Sequence, residues 1–526
     1  MRVFCNGIAF AGEVHNIRLH DATSPQLGWY GAALRCRANM TTGAGAMRER
    51  SLGVIGGLEP LASADFLLKL VEATEAHADA GRFDIVFEQR PFAPAADPST
   101  VTPARKLYIF DMIGSFRERG IGTVVLPCFL SHTFMEELQA NSPLPIADML
   151  AALRSHVRSH FSSGRRIGVL TSDPVRRQRL FERYFPPDEF EIVHPRRRGD
   201  LECVMEAVYG ENGIKRGNRR GHPLELLREA CADLVEQGAE LILPGLTELT
   251  LAAHEIGPMS VPIIDPHRAY AQYVVSERFA LPERPFKLGV VGGVGPAATV
   301  DFLQKVVRST PARRDQDHLR LVVEQNPQIP DRTEHLLGEG PDPTLALYAT
   351  CKKLQAGEAD LIAIPCNTAH AFVERIQPHL DIPIMNMLTV TVSHVRESFP
   401  TVRKVGLLAT NGTISSGIYR RALGEHGLTE VVPQPALQVR VMTGIFGLHG
   451  VKAGFTSGQC LDDIGAAIDD LISQGVEVII LGCTELPLLF PLPELTSASG
   501  QRVTLVDPTE ILAMRCVSQA MARPRR

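Results

Sequence analysis

The chain is 526 residues long and carries 54 basic and 59 acidic side chains, so its formal net charge at pH 7 is −5. This balance gives no electrostatic drive toward nucleic acid or an anionic membrane. Hydrophobic residues make up 44% and charged residues 21% of the chain, which is typical of folded globular proteins and excludes a mainly disordered chain. The sequence contains no run of about 18 apolar residues, so it predicts no transmembrane helix. Its length predicts several domains.

The first 50 residues differ from the rest of the chain. Residues 1–50 contain the only tryptophan, Trp29, show no clear periodicity and lack the pattern of a signal peptide. We expect an N-terminal extension that is flexible, or that is not translated because synthesis starts at Met40 or Met47. The alternative is a genuine N-terminal arm that packs on a neighbour.

Ten cysteines are scattered along the chain without a CxxC pair. Sparse and irregularly spaced cysteines are typical of a reducing compartment, where they serve as core residues or nucleophiles and do not form disulfides. We therefore expect a cytoplasmic protein.

An internal repeat is the most informative feature of the sequence. LGVIGGLEPLASADFLL at 52–68 resembles LGVVGGVGPAATVDFLQ at 288–304, and GLTEL at 245–249 resembles GCTEL at 482–486. Further similar stretches recur in the same order, about 237 residues apart. The sequence therefore predicts a tandem duplication.

The repeat divides the chain into two modules. We expect the first module over 51–280 and the second over 286–523. The Pro-rich polar stretch at 281–285 is suited to a linker between them.

Each module alternates apolar strand-like segments with helix-like segments. In the second module, strands are predicted at 287–292, 319–324, 361–364, 405–409 and 476–481, and a helix over 346–356. Continuous apolar strands that alternate with helices predict an α/β fold in which helices cover both faces of a parallel sheet. Ligands of such sheets bind at the carboxyl ends of the strands, where Cys366 and Cys483 are expected.

Cys366 and Cys483 are the strongest candidates for chemistry. Each follows a predicted buried strand and precedes residues that can begin a helix, namely Asn367 and Thr368 in one case and Thr484 in the other. A thiol at a helix N-terminus has a lowered pKa, and the same N–H groups can hold a carboxylate. A buried cysteine is also a common core residue, but two cysteines in matching positions favour a functional pair.

A metal site is the competing interpretation of this region. Cys366 and His370 are four residues apart and would share one helix face. One such pair supplies only half of a tetrahedral zinc site, and no further Cys/His pair completes it. We therefore predict no metal, and we expect His370 to be a hydrogen-bonding partner near the site or a satisfied core histidine.

Five motifs of the second module resemble the aspartate/glutamate racemase family. They are GGVGPAAT at 292–299, NPQIPDRT at 326–333, PCNTAH at 365–370, LLATNGTISSGIY at 407–419 and GCTELP at 482–487. The resemblance implies that each module consists of two Rossmann-like subdomains, each with a parallel sheet flanked by helices, and that the active site lies between them. It also implies a racemase that needs no cofactor and uses one cysteine from each subdomain, Cys366 and Cys483.

The resemblance further assigns substrate binding to eight residues, with Thr410 as an additional candidate. They are Gly293, Thr299, Asn326, Arg332, Asn367, Thr368, Lys452 and Thr484. An arginine can clamp a carboxylate with two hydrogen bonds, although Arg332 could also form a surface ion pair. Lys452 would add a point charge, unless it is a solvated loop lysine. Two bases are chemically necessary, because inversion removes the α-proton from one face and returns it on the other.

The first module keeps only part of this set. Cys128 corresponds to Cys366, but Leu246 occupies the position of Cys483. Other replacements change the expected binding residues: Arg90 for Asn326, FAPAA at 92–96 for IPDRT, Glu59 for Gly295, Phe129 and Leu130 for Asn367 and Thr368, and LTSD at 170–173 for ATNGT. Leucine cannot exchange a proton, so we expect a degenerate copy with a structural, regulatory or dimer-mimicking role. The alternative is a one-base isomerisation or decarboxylation that uses Cys128.

These observations predict that the second module interconverts L- and D-aspartate or glutamate. The alternatives are a non-catalytic amino-acid-binding or regulatory protein and an isomerase of another small carboxylate, of the hydantoin or maleate type. The sequence does not separate aspartate from glutamate, since one methylene is worth only about 1–3 kcal/mol, and it does not assign a cysteine to an enantiomer. The expected partner is a small amino acid, and a homodimer or an intrachain pseudo-dimer of the two modules stays open.

Overall fold

The computed structural model describes residues 50–76, 83–92, 101–161, 165–196, 203–496 and 500–522. The expectations for the N-terminal extension, including Trp29, Met40 and Met47, fall outside these ranges. The chain divides into two compact units, Met1–Arg284 and Pro285–Arg526, which we call the first and the second unit.

Within its described ranges, the first unit contains two parallel sheets. Its strands are β1 (Arg50–Gly56), β2 (Phe83–Gln89), β3 (Thr123–Val125), β4 (Ile146–Ala147), β5 (Arg166–Thr171), β6 (Glu191–Val193) and β7 (Leu241–Gly245). The strand orders are β2-β1-β3-β4 and β6-β5-β7, and all neighbours are parallel. Its α-helices span Pro60–Ala76, Val101–Glu118, Phe129–His132, Met135–Asn141, Met149–His160, Asp173–Arg177, Leu180–Tyr184, Cys203–Tyr209, His222–Glu236 and Pro266–Ser276.

The described part of the second unit also contains two sheets. Its strands are β8 (Lys287–Gly292), β9 (Arg320–Gln325), β10 (Leu361–Ala363), β11 (Ile384–Met385), β12 (Lys404–Leu408), β13 (Thr429–Val431), β14 (Val478–Leu481), β15 (Glu494–Thr496) and β16 (Arg502–Val506). The strand orders are β11-β10-β8-β9 and β13-β12-β14-β16-β15, and β15 alone runs antiparallel to its neighbour. Its α-helices span Pro296–Ser309, Arg332–Leu336, Thr344–Ala356, Val373–Ile376, Met387–Ser398, Asn411–Ser416, Ile418–Glu425, Pro435–Phe446, Gln459–Ser473 and Pro508–Ala522.

The central strands are apolar throughout because helices cover both faces of their sheets. In β8, Leu288, Val290 and Val291 are completely buried. In β14, Ile479 and Ile480 are equally inaccessible. Parallel sheets require this double cover, since each crossover places a helix on one face. The predicted α/β class, with parallel sheets flanked by helices, is confirmed, with β15 as the exception in direction.

The sequence pattern located five of the nine described strands of the second unit closely and gave no bounds for β11, β13, β15 and β16. β8 has the predicted bounds 287–292, whereas β14 begins after the predicted start at 476. The reason is local: the Val476 N–H donates to Leu471 O at 3.2 Å, so this residue still terminates the preceding helix. Among the residues that the structure describes, no helix has the length and apolar character needed to cross a bilayer.

Candidate functional site

Cys366 and Cys483 lie beyond the carboxyl ends of strands from different sheets of the second unit. Cys366 follows β10, and Cys483 follows β14. Both residues line one cavity, and each is 6% exposed. The structure therefore brings together the two thiols that the sequence singled out, with one supplied by each sheet.

Most of the predicted binding residues line the same cavity. They are Arg332, Asn367, Thr368, Thr410, Lys452 and Thr484. The cavity is small, at about 20 Å³, whereas pockets for drug-sized ligands measure about 300–1,000 Å³. The second unit has two lobes, one built on the sheet β11-β10-β8-β9 and the other on the sheet β13-β12-β14-β16-β15. The polar groups of the site are assembled between these lobes, but the lobes leave little room for a ligand.

Gly293, Thr299 and Asn326 do not line this cavity. Thr299 Oγ1 accepts a hydrogen bond from the Gly293 N–H at 3.2 Å, and Asn326 Nδ2 donates to Thr350 Oγ1 at 3.1 Å. Gly293 has φ +87°, and a Cβ at this position would lie 2.5 Å from the carbonyl carbon of Asn326. These three residues therefore hold the loops that follow β8 and β9, where two backbones approach closely.

Arg332 is the cation next to Cys366. Cys366 is the neighbouring group that most strongly opposes the effect of burial on the pKa of the Arg332 guanidinium, and Arg332 Nη1 donates to Pro330 O at 3.2 Å. Burial lowers the pKa of Arg332, but Cys366 and Asp331 outweigh burial and leave this pKa raised. Arg332 is thus charged, and it lines the same cavity as Cys366.

Cys483 has a different environment, dominated by Glu485. The Cys483 thiol donates to Glu485 Oε2 at 3.2 Å, and Lys452 Nζ pairs with Glu485 Oε1. Burial and the Glu485 carboxylate raise the pKa of Cys483 well above its usual value, although Lys452 opposes them. Cys483 is therefore a protonated thiol.

This result corrects the expectation that Cys483 has a lowered pKa at a helix N-terminus. The chain after Cys483 forms only a 3-10 turn, Leu486–Leu488, and the chain after Cys366 forms another short one, Thr368–Phe372. Such short turns align few peptide dipoles. At Cys483, burial and the neighbouring carboxylate decide the protonation state.

His370 supports the cysteine loop from within the core. Its Nε2 accepts a hydrogen bond from the Met387 N–H at 3.0 Å, so its Nδ1 carries the proton and donates to Cys366 O at 2.9 Å. Burial lowers the pKa of His370, so the ring is neutral. Within the described ranges, no cluster of His, Cys, Asp or Glu side chains has the arrangement of a metal site.

Glu485 and Tyr419 are two polar contributors that were not assigned roles from the sequence. The Tyr419 hydroxyl donates to Asn367 Oδ1 at 2.6 Å, and Asn367 Nδ2 is buried without a hydrogen-bond partner among the described residues. A signal for Glu485 existed, because the repeat places Glu248 at the matching position of the first unit. No comparable signal separated Tyr419 from an ordinary core tyrosine.

A chain of threonine hydroxyls connects the two lobes of the second unit beside the cavity. Thr333 Oγ1 donates to Thr410 Oγ1 at 3.0 Å, Thr410 lies 3.1 Å from Thr413, and Thr413 lies 2.7 Å from Thr368. All four residues are buried. Because Thr333 and Thr368 follow strands of one sheet and Thr410 and Thr413 follow a strand of the other, these bonds hold the lobes together.

The corresponding residues of the first unit line a wider cavity of about 610 Å³. Cys128 and Leu246 take the positions of Cys366 and Cys483, and Glu59, Phe129 and Leu130 also line it. Of the segment FAPAA at 92–96, which replaces IPDRT, the structure describes only residue 92, since residues 93–96 lie outside the described ranges.

Comparison with known proteins identifies the family of both units. The sequence model of the Asp/Glu/hydantoin racemase family matches residues 55–274 and again residues 291–516. Two matches in succession are consistent with a tandem duplication.

Individual relatives each match less than half of the chain. The broad specificity amino-acid racemase RacX of Bacillus subtilis (strain 168) is 26% identical over 239 residues, which cover 45% of this chain and 98% of the relative. Glutamate racemase of Corynebacterium diphtheriae is 29% identical over 205 residues, 36% of this chain and 71% of that protein. Among solved structures, Picrophilus torridus aspartate racemase is 31% identical, covering 45% of this chain and 94% of its own, with a TM-score of 0.39. Because the family matches span most of both units, this chain belongs to the Asp/Glu/hydantoin racemase family.

Proposed function

We propose that the second unit racemises an acidic amino acid, aspartate or glutamate, without a cofactor, and that Cys366 and Cys483 are its two bases. The observation that carries this proposal is the single cavity lined by both thiols, which come from opposite sheets. A base on each face of the α-carbon is the minimum that inversion requires.

The surroundings of the two sulfurs favour a definite starting state. We assign the attacking thiolate to Cys366 because the charged Arg332 lines the same cavity, whereas burial and Glu485 raise the pKa of Cys483 well above its usual value. Cys366 would remove the α-proton, leaving the C–H electron pair on the α-carbon and its carboxylate. Cys483 would then deliver its own proton to the opposite face. The turnover ends with Cys366 as the thiol and Cys483 as the thiolate, which is the starting state for the reverse direction.

The cations of the cavity suit a dicarboxylate substrate. Arg332 and Lys452 are two positive groups lining the same small space, and the substrate has two carboxylates. A cation and aligned hydrogen-bond donors at the α-carboxylate would stabilise the charge that develops when the α-proton leaves. We assign this task to Arg332 together with Asn367, Thr368 and Thr484.

Lys452 is available to the substrate only in part, because it already pairs with Glu485. Burial lowers the pKa of Lys452, but Cys483 and Glu485 outweigh burial and leave it raised, so the ammonium persists. We propose that Lys452 holds Glu485 against Cys483 and attracts the side-chain carboxylate of the substrate. Gly293, Thr299 and Asn326 are proposed to position the loops and not to contact the substrate.

Substrate entry requires the two lobes of the second unit to separate. A cavity of about 20 Å³ has room for little more than one water molecule. The threonine chain would break on opening and re-form on closure, which would exclude water from the developing carbanion. We propose that closure brings both sulfurs to the α-carbon.

The organisation of the chain is part of the proposal. We propose modules over 51–280 and 286–523, with racemisation carried by the second, and a first module that has lost two-base chemistry because Leu246 cannot exchange a proton. The free cysteines of the described residues suit a reducing compartment such as the cytoplasm.

The test is incubation of the full chain with L-aspartate or L-glutamate in D2O, followed by chiral chromatography and mass spectrometry. The proposal expects the D-enantiomer to appear with one deuterium at the α-carbon. Turnover should survive EDTA and the carbonyl reagent aminooxyacetate, which would inhibit a metal or pyridoxal mechanism. Absence of both isotope uptake and the D-enantiomer with either substrate contradicts the proposal and favours a binding protein or an isomerase of another carboxylate.

A further inference from the structure

The cavity of the first unit differs in kind from that of the second. It measures about 610 Å³, which is within the range of pockets that hold small organic ligands. Its walls combine one buried cation, a pair of carboxylates around a lysine, and a set of large apolar side chains. Each of these three components points to a feature of the ligand.

The cation is Arg105, on the helix Val101–Glu118. Arg105 lines the cavity, is 7% exposed, and its Nη1 lies 3.3 Å from Cys128 Sγ. Its Nε is buried and has no hydrogen-bond partner among the described residues. Among the described residues, the guanidinium meets the Cys128 sulfur and the ring of Phe92, whose centroid lies 5.3 Å away, and no carboxylate. A buried guanidinium without a carboxylate partner is poorly compensated, so a carboxylate ligand would be favourable beside it.

The carboxylates are Glu59 and Glu248, which share Lys215. Lys215 Nζ lies 3.0 Å from Glu59 Oε2 and 3.3 Å from Glu248 Oε1. One ammonium has to serve two carboxylates, so ionising both of them at this end of the cavity is unfavourable. Accordingly, burial and Glu248 raise the pKa of Glu59 to about 7. A ligand ammonium would relieve this repulsion.

The corresponding end of the cavity in the second unit lacks a second carboxylate. Gly295 takes the position of Glu59 there, and a Cβ at Gly295 would lie 2.5 Å from Glu485 Oε1. The acidic pair is therefore specific to the first unit.

Apolar side chains form the rest of the wall. Phe92, Phe129, Leu130, Met205 and Leu246 line the cavity. Leu130 and Leu246 stand where the second unit has Thr368 and Cys483. A ligand that filled this space would need to bury a large apolar group, since a small polar one would leave these surfaces in contact with water.

We propose that the cavity of the first unit binds a free α-amino acid with a large apolar side chain, such as leucine, and does not invert it. The carboxylate would lie at Arg105, the ammonium at Glu59 and Glu248, and the side chain against the apolar wall. A zwitterion matches the arrangement because Arg105 lacks a carboxylate partner among the described residues, and Glu59 and Glu248 share one ammonium. Inversion is excluded because Leu246 gives the second face no proton-exchanging group.

The test uses the full-length chain and three probes that share one carbon skeleton. L-leucine carries both charges, 4-methylpentanoate lacks the ammonium, and 3-methylbutylamine lacks the carboxylate. Isothermal titration calorimetry should detect one leucine site per chain, with each of the other probes bound about tenfold or more weakly, since one lost charge-assisted hydrogen bond corresponds to about that factor. Equal affinity for all three probes, or no leucine binding at millimolar concentration, overturns the proposal.

Two substitutions assign the ends of the ligand. Arg105→Gln should weaken leucine and 4-methylpentanoate by about tenfold or more and leave 3-methylbutylamine unchanged. Glu59→Gln should weaken leucine and 3-methylbutylamine and leave 4-methylpentanoate unchanged. If either variant affects all three probes equally, or none of them, the proposed orientation is wrong.

Two further variants locate the site without removing a buried charge. Leu130→Trp, at a half-buried position of the wall, should abolish leucine binding by filling the space. The double variant Cys366→Ser/Cys483→Ser should bind leucine as the parent does. Loss of leucine binding in the double variant, with retention in Leu130→Trp, would place the ligand in the second unit and overturn the proposal.

Discussion

The two units share the histidine hydrogen bonds that support the cysteine loop, and they differ in the side chains that line their cavities. In each unit a buried histidine, His132 or His370, accepts a hydrogen bond from a methionine N–H at 3.0 Å and bonds the carbonyl of the cysteine at 2.9 Å. By contrast, Leu246 replaces Cys483, and the cavities measure about 610 Å³ and 20 Å³. These hydrogen bonds persist because a buried polar group that loses its partner destabilises the fold. Side chains that line a cavity can change with little effect on stability.

The largest expected effect concerns the two sulfurs, which separate the chemistry of the second unit from that of the first. Cys366→Ser or Cys483→Ser should each lower racemisation of the acidic substrate by about a thousandfold or more, because a serine hydroxyl is a far weaker proton-exchanging group than a thiol. Chiral chromatography of the product measures this loss.

Cys516→Ala is the matched control, because Cys516 is buried in the core of the second unit and does not line the cavity. It should retain activity. Full activity in both serine variants would break the comparison and show that Cys366 and Cys483 are not the two bases.

A second prediction concerns Gly295, which takes the position that Glu59 has in the first unit. Gly295→Ala should lower kcat/KM by about a hundredfold, because small displacements of groups at a reacting centre have effects of this size. Gly295 has φ +117°, and the added Cβ would lie 2.5 Å from Glu485 Oε1. Moving that carboxylate would disturb its contacts with Lys452 and Cys483. Gly424→Ala, where a Cβ would meet nothing within 4 Å, is the control, and equal activities of the two variants would contradict the role given to Glu485.

A third prediction follows from the protonation of Glu59. Burial and Glu248 raise its pKa from 4.5 to about 7, against the opposing effect of Lys215. Between these two pH values the folded chain binds a proton that the unfolded chain has lost, so the free energy of unfolding should fall as pH rises through this window. The size is on the order of 3 kcal/mol for a shift of this extent.

Urea unfolding of the parent and of Glu59→Gln, followed by circular dichroism from pH 4.5 to 8, measures the effect. The variant should gain stability relative to the parent as pH rises through the window. Glu225→Gln, at a position exposed on the helix His222–Glu236, serves as the control. Parallel pH curves for parent and Glu59→Gln would contradict the raised pKa.

The smallest expected effect tests a positioning residue of the second unit. Tyr419→Phe removes the 2.6 Å hydrogen bond to Asn367 Oδ1 and frees this amide to rotate away from the cavity. We expect about a tenfold lower kcat/KM for the acidic substrate, equivalent to one hydrogen bond. Tyr348→Phe, whose hydroxyl makes only an exposed 3.5 Å contact with His379 O, should have no effect. An unchanged kcat/KM in Tyr419→Phe would show that Asn367 needs no such support.

Much of the candidate site could be predicted because its two cysteines occur in the same sequence pattern. Cys366 and Cys483 each follow an apolar strand, and the carboxyl ends of parallel strands are where ligands bind. The resemblance placed Arg332 and Lys452 among the binding residues, and both line the cavity. Thr299 was less predictable, because a motif position does not reveal whether a hydroxyl faces a ligand or, as observed, its own loop.

The sequence by itself determined the α/β class, the two-fold repeat and the two strand-end cysteines, because apolar periodicity and local residue order carry that information. Only the tertiary structure decided that Glu485 and burial keep Cys483 protonated, and that Glu59 meets Glu248 in the first unit. The pairing of Glu59 with Glu248 joins residues far apart in the chain. The protonation of Cys483 depends on burial between packed lobes, and no local pattern encodes either result.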